Sequence, residues 1–334
     1  MNTQELQAKL LIYYQLKFAA REQQTLADFR ALTNGFASDV YAYTLTYRMG
    51  ATVYHEPRVL KLYSAGVGGA DRALKERHAL RSLHEEGFPV PGSTLVEVDE
   101  GHLGRPFVIM EQVEGQTMWQ ALETASPERR RDLIRLFSGL LADLHSLSYA
   151  VLVPNLLIRD EYTLIKREIH NLKQGGTEFL PLVEWLQARR ELVPCKRPVV
   201  THRDYHPWNI IITEQGMYEG IIIDWGWQIS DPRFDLGWTL SLMERAGHDD
   251  FRAAALDEYE RIVGHKIEHL AYFEVLASAH WLLQVLNSLK SGAHLRNGAR
   301  AGFRALVSDA AHKALDMIYA RTGVKLPEVE AQIR

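Results

Sequence analysis

The hydrophobic pattern changes its period along the chain, and each change marks a different kind of element. Residues 3 to 30 are rich in good helix formers and contain no Gly or Pro, which predicts one or two helices. Val40–Tyr47 (VYAYTLTY) is β-branched and aromatic, and Arg58–Tyr63 (RVLKLY) is a second strand candidate. Asp71 to Glu86 returns to helical composition, with Leu74, His78, Leu80 and Leu83 as inward positions. Thr94–Val98 and Pro106–Gln112 read as further strands. The first part of the chain is thus expected to be a small sheet carrying one helix after its third strand.

After Gly115 the pattern is mainly helical. Ser126-Pro127 offers an N-cap with proline at the first helical position, and Leu133, Leu136, Leu140, Leu141 and Leu144 follow at helical spacing. Tyr162–Lys173 and Leu182–Leu192 predict two more helices. Ile210–Ile212 and Gly220–Ile223 flank the turn candidate Glu214-Gln215-Gly216 and predict a hairpin. Pro232 to about Thr322 reads as helix. The fold class expected is α+β in two lobes: residues 1–113 with the sheet, and residues 114–334, larger and mostly helical.

Composition narrows the setting. At 334 residues and 46% hydrophobic content the chain can bury a sizeable core. A net charge of −4 gives no reason to expect nucleic acid or an anionic membrane as partner. Cys195 is the only cysteine, which excludes an intrachain disulfide and fits a reducing compartment. Glu5 and the short apolar run from Leu10 to Tyr14 make a poor signal peptide. His280 and Gln284 interrupt the apolar stretch Val275–Leu286, which reads as a buried helix and not a membrane span. The expected address is the cytoplasm.

The chemistry concentrates between 202 and 235. His202-Arg203-Asp204-Tyr205-His206-Pro207-Trp208-Asn209 is an HRDxxxxN arrangement, and Asp224-Trp225-Gly226 begins fifteen residues after Asn209. Phosphoryl transfer needs a carboxylate that orients the acceptor hydroxyl and takes its proton, and hard oxygen ligands that hold Mg2+ on the phosphates. Asp204 suits the first role; Asn209 and Asp224 suit the second, brought together by the hairpin between them. A carboxylate capping a turn is the plainer reading of either aspartate alone; their order and spacing favour the chemical one. Lys61 lies in a Val-Leu-Lys strand and Glu76 follows fifteen residues later on the predicted helix, a pairing that can anchor phosphates. Thr33 to Val40 lies where a phosphate-covering loop belongs, with Ser38 as the candidate contact. Phe107–Gly115 looks like a strand and hinge whose backbone could pair with adenine around Glu111 and Val113.

These pieces resemble the aminoglycoside phosphotransferase/choline kinase-like family, relatives of the protein kinases. The resemblance spans about 33 to 240 and is carried above all by THRDYHPWNI, IIIDWG and DPRFDL. It implies a bilobal protein-kinase-like fold with a small antiparallel sheet in the N-terminal lobe. It implies Asp204 as catalytic base, Asn209 and Asp224 as metal ligands, and Lys61 with Glu76 as the phosphate anchor. It also implies that Asp235 braces the catalytic loop; His202 reads as a loop anchor. The cofactors implied are ATP, with GTP left open by the glycine-poor loop, and Mg2+. Many relatives have glycine where this chain has Arg203. Only four residues separate Gly226 from Asp231, too few for the activation loop on which a protein kinase seats a peptide, so a small-molecule acceptor is expected. In the family the acceptor is bound largely by the helical lobe, here by parts of 150–195 and 240–300. Trp281, Gln284 and Asn287 could line a sugar-like pocket, although a stripe packing on neighbouring helices is the plainer reading.

Two other functions compete. Kinase-like folds can lose catalysis, leaving a silent nucleotide-binding module. His265-Lys266-Ile267-Glu268-His269 spells the inverted zincin motif; on a helix His265 and His269 would share one face and could bind zinc beside Glu268, with Glu328 or Glu330 as third ligand. A chance surface pair is the plainer reading. His145 is expected to be a packed helix histidine, and Cys195 is given no reactivity.

Overall fold

The structure, a computed structural model, describes residues 2–32, 38–156, 158, 160–214, 216–291 and 300–334. They form two compact units, one running to Glu114 and the other from Gly115 onward.

The first unit begins with α1 (Thr3–Lys17), capped by the Asn2 side chain. Next come the long antiparallel strands β1 (Glu22–Leu32), β2 (Asp39–Met49) and β3 (Thr52–Leu62), helix α2 (Val67–Glu85), β4 (Ser93–Glu97), the single turn α3 (Glu100–Leu103) and β5 (Phe107–Glu111). The sheet order is β1-β2-β3-β5-β4, antiparallel throughout. Side chains alternate across a strand, so Leu60 and Leu62 on β3 and Phe107 and Ile109 on β5 point to one face. There they pack with Leu6, Leu10, Tyr13 and Tyr14 of α1. Lys61, between two buried leucines, must point to the opposite face.

Two expectations fail here. Residues 22–30, expected to be helical, form the edge strand β1. Its period-two burial sits on Gln24 and Leu26, and a glutamine hides that alternation from a reading of hydrophobicity. The buried Gln24 amide donates to Phe18 and Arg21 carbonyls, at 2.9 Å each, and so ties the turn after α1 to the strand. The two register shifts against β2 fall at Gln23 and Asp28, whose φ values of 51° and 54° mark bulges. Pairing with β2 outweighs helix propensity. On α2, Leu74 and His78 are exposed; the inward stripe is Ala73, Glu76, Leu80 and Leu83. A glutamate takes the place a leucine was expected to fill.

The second unit holds β6 (Gln116–Thr117), α4 (Met118–Thr124), α5 (Pro127–Ser146), α6 (Thr163–Gly175), α7 (Leu180–Arg189), β7 (Val199–Thr201), β8 (Ile210–Ile212), β9 (Gly220–Ile222), β10 (Gln228–Ser230), α8 (Pro232–Ala246), α9 (Asp249–Val263), α10 (Leu270–Ser291), α11 (Arg300–Thr322) and α12 (Pro327–Ile333). Ser126 caps α5 as expected, accepting from Arg129 N, and the hairpin β8–β9 pairs Ile210 with Ile222. The core gathers α6, α7, α8, α10, α11 and α12 around Phe179, Phe234, Phe273 and Leu276. Among the described residues no helix is long and apolar enough to cross a membrane.

Helices α8 and α10 approach closely at Gly237. A Cβ there would lie 2.6 Å from the backbone carbon and oxygen of Phe273. Gly237→Ala is therefore expected to wedge the two helices apart at a cost of about 1–3 kcal/mol. Urea unfolding should show it as a lower midpoint at unchanged m-value.

Candidate active site

The segment from β7 to α8 is built around a buried carboxylate. Asp235, in the first turn of α8, is fully buried. Its Oδ2 accepts the His202 N–H at 2.6 Å and its Oδ1 the Arg203 N–H at 2.9 Å. From behind, His145 Nε2 of α5 lies 3.4 Å away, and its Nδ1 meets the Tyr259 hydroxyl of α9 at 2.8 Å. Burial alone would raise the pKa of Asp235. The hydrogen bond and charge of His145 and the Arg203 amide outweigh it and hold the carboxyl below its ordinary value.

With two consecutive amides fixed, the chain turns sharply. Arg203 has φ +76°, a left-handed conformation that explains why glycine suits this position. The arginine is retained by its side chain. Nη1 and Nη2 donate to the two oxygens of buried Glu168 on α6, at 3.1 and 3.2 Å, and the guanidinium stacks 3.6 Å from the Phe234 ring centroid. His202 is buried, and desolvation pushes its pKa down. As a neutral ring it donates from Nε2 to the Ile223 carbonyl at 3.0 Å and accepts the Asp204 N–H at Nδ1, 3.2 Å. The ring thereby links the loop to the end of β9.

Asp204 then projects from the loop with each oxygen held. The Trp238 indole N–H of α8 donates to Oδ1 at 2.9 Å, and the Asn209 amide donates to Oδ2 at 3.2 Å. His206 Nε2 lies 3.3 Å from Oδ1. Burial pushes Asp204 upward, but the charge and hydrogen bond of His206 and the Trp238 hydrogen bond bring it down to about 2. The group is a carboxylate throughout the neutral range. Neither Trp238 nor the His206 contact was evident from sequence. Trp238 stands three residues after Asp235, so the helix turn that braces the loop also presents the indole, but no local pattern announces that.

Asn209 and Asp224 are joined through the backbone. Ile223 N–H donates to the Asn209 carbonyl at 3.0 Å, so Asp224 leaves β9 beside Asn209. Asp224 is exposed, at φ +65°. The Asn209 Nδ2 group is turned to Asp204, which leaves its Oδ1 as a candidate metal donor. The two positions thus offer a carboxylate and an amide oxygen, hard donors that fit a magnesium ion. Immediately afterwards β10 pairs antiparallel with β7, so the chain from Gly226 returns directly into the fold.

In the first unit, Lys61 and Glu76 are both buried and paired, Nζ lying 2.9 and 2.7 Å from the two carboxylate oxygens. The Tyr63 hydroxyl donates to the same carboxylate. A concavity of about 530 Å³ opens in this unit, lined by Asp28, Phe29, Arg30, Thr44, Pro57, Gln112 and Glu114. Thr44 and Pro57 are paired and share the sheet face of Lys61, roughly 13 Å along β3 from it. Glu111 N–H donates to Gly92 O and Gln112 N–H to Pro57 O, so both amides are committed within the first unit. Ser38 is buried; residues 33–37 of the expected phosphate loop lie outside the described residues.

The zincin expectation is overturned by local geometry. Residues 264–269 form the turn between α9 and α10, with His269 at φ +58°, so His265 and His269 do not share a helix face. Among the described residues no group of three or more His, Cys, Asp or Glu could hold a metal ion.

The phosphotransferase enzyme family model (APH) matches residues 28–271. The chain belongs to that family. Sequence comparison with curated proteins gave no match. Among solved structures, the chain is similar to a candidate aminoglycoside phosphotransferase of Ralstonia eutropha JMP134, at 16% identity over 95% of this chain and 98% of that one, with TM-score 0.66. It is also similar to an ethanolamine kinase of Plasmodium vivax, at 14% identity over 91% and 84%, TM-score 0.59. The GDP and kanamycin complex of APH(2")-IIIa matches at 17% identity over 95% and 99%, TM-score 0.61. At such identities these likenesses establish the bilobal kinase-like fold.

The buried Glu168 cluster sets a pH dependence of stability. His280 Nε2 lies 3.2 Å from Glu168 Oε2, but burial dominates and depresses the His280 pKa from 6.5 to about 4. Below pH 6.5 the unfolded chain takes up a proton that the folded chain refuses until about pH 4, so stability falls with acidification across that window. His202, also depressed, acts in the same direction. The slope expected is up to about 1.4 kcal/mol per pH unit for each such histidine. Unfolding free energies measured between pH 7 and 4.5 should decline, and His280→Phe should flatten the curve.

Proposed function

We propose that this phosphotransferase moves the γ-phosphoryl group of ATP, with Mg2+, to a hydroxyl of a small molecule. The observation that carries the reading is Asp204: an ionised carboxylate, fixed at both oxygens by Trp238 and Asn209, on a loop anchored by Asp235. Such a group accepts a hydrogen bond from an alcohol and points its oxygen at a phosphorus atom. A carboxylate held down to about pKa 2 is a weak base. Its work is to orient the hydroxyl and receive the proton late, which suits a loose phosphoryl-transfer transition state.

Asn209 Oδ1 and the Asp224 carboxylate would hold the magnesium ion, which neutralises phosphate charge when bound. Lys61, held by Glu76, would contact nucleotide phosphates, and the concavity beside Pro57 and Thr44 leaves room for a nucleoside on the same sheet face. Similar solved structures are described as complexes with GDP and with AMP, in keeping with a nucleotide donor. A small acceptor is favoured because β10 follows Gly226 almost at once, leaving no extended segment on which a peptide could lie. A silent nucleotide-binding module is disfavoured by the intact carboxylate, amide and lysine set.

ATP turnover against aminoglycosides, macrolides, choline, amino alcohols, sugars and hydroxy acids tests the proposal. Asp204→Ala is expected to lower kcat by 10²–10⁴ with little change in nucleotide affinity; unchanged turnover would sink the assignment. Asp224→Ala is expected to abolish magnesium-dependent turnover, and magnesium titration of that variant checks it. Because Asp204 stays ionised far below neutrality, kcat/KM should show no acid limb belonging to it between pH 5 and 8.

A further inference from the structure

Arg245, in the last turn of α8, is almost entirely buried, yet it forms no ion pair with any carboxylate among the described residues. Its Nη1 donates to Ser241 Oγ at 3.1 Å, its guanidinium lies 4.4 Å from the Trp281 ring centroid, and its buried Nε has no hydrogen-bond partner. The neighbouring Glu244 is turned instead to Arg321 and Arg252. Desolvation lowers the Arg245 pKa only to about 10, so the side chain remains a cation at neutral pH. A buried guanidinium without a paired carboxylate is poorly compensated for its lost hydration, and one hydroxyl and one aromatic face offset only part of that. A second polar group on the adjoining helix is in the same condition. Ser278 of α10 is fully buried with its Oγ unpartnered, one turn before Trp281 and on the same side of the helix.

The position of this cation gives it meaning. Trp238, Ser241 and Arg245 recur at i, i+3 and i+7 on α8, so they lie along one face. Seven residues at 1.5 Å each separate Trp238 from Arg245 by about 10 Å. Trp238 is the residue whose indole fixes Asp204. The face therefore runs from the acceptor-orienting carboxylate to a cation that no carboxylate pairs among the described residues, over the length of a small molecule.

We propose that Arg245 binds an oxyanion of the acceptor, a carboxylate or phosphate group carried about 10 Å from the reacting hydroxyl, with Ser278 as a second donor. A polycationic acceptor would meet like charge here. The assignment of that anion to an acceptor rests on the phosphotransferase reading; the anion site itself does not.

Inorganic phosphate and acetate titrated into the full chain at constant ionic strength, followed by calorimetry and tryptophan fluorescence, test the site directly. Saturable binding of at least one is expected in the wild type, weakened at least tenfold in Arg245→Lys and lost in Arg245→Met. Methionine matches much of the volume and removes the buried charge; should that variant not fold, Arg245→Lys carries the comparison. No binding by the wild type, or equal binding by all three proteins, overturns the proposal. In a second arm, hydroxy acids are compared with their methyl esters, and phosphorylated alcohols with the free alcohols, as acceptors with MgATP. The anionic member of a pair should have at least a tenfold lower KM, an advantage that disappears in Arg245→Met, and whichever pair shows it identifies carboxylate or phosphate. A neutral or cationic acceptor used with the same KM by wild type and Arg245→Met overturns the proposal. Anion binding that depends on Arg245 without transfer to any acceptor would uphold the site and count against the phosphotransferase reading.

Discussion

The second unit's chemistry depends on one carboxylate that does not meet solvent. Asp235 gives both its oxygens to consecutive main-chain amides, those of His202 and Arg203. Hydrogen bonds from backbone donors to a charged acceptor are among the stronger ones a fold can make. Removing one partner of such a buried set leaves the others unsatisfied, at several kcal/mol. The two fixed amides dictate the left-handed turn at Arg203, and the turn dictates where Asp204 emerges. His145 and Tyr259 close the set from α5 and α9, so three helices converge on the same few atoms.

From this constraint follows a separation of roles among three aspartates of one short stretch. Asp235 is saturated by internal donors and has nothing left for a ligand. Asp204 is held at Oδ1 by Trp238 and His206 and at Oδ2 by Asn209, which keeps it oriented. Asp224 is exposed, at the end of a strand. Residue type is the same in all three; environment assigns the work. The Asn209 amide contributes twice, since its nitrogen commits to Asp204 and thereby turns its oxygen away.

Much of this was legible in the sequence because the constraints are local. HRDYHPWN, the isoleucine hairpin and the Asp231 cap of DPRFDL each encode a short loop or cap whose geometry depends on near neighbours. What was not legible depends on distant partners. Residues 22–30 carry helix-forming side chains, but their pairing with β2 and the burial of Gln24 against the α1 turn decide the matter. Leu74 was expected inward on α2, whereas Glu76 is the buried member because Lys61 waits on the facing strand. The histidines at 265 and 269 were spaced for a helix face, and Gly264 ends α9 just before them with φ +78°. Trp238 and Glu168 reach Asp204 and Arg203 from 34 and 35 residues away, with no motif to signal it.

Arg203 shows how spelling and function can separate. Read alone, HRD suggests a protein kinase, where many relatives of this chain carry glycine in the middle position. Left-handed backbone at φ +76° is costly for a side chain, on the order of 1–2 kcal/mol, so glycine is the undemanding choice. An arginine persists here because its guanidinium gains a bidentate carboxylate and an aromatic face, Glu168 and Phe234. Those gains in turn anchor α6 to the loop that follows β7. The residue is committed inward, and β10 pairs with β7 directly after the Asp224 turn. No segment remains for such an arginine to organise, so the same three letters describe a brace for a small-molecule enzyme.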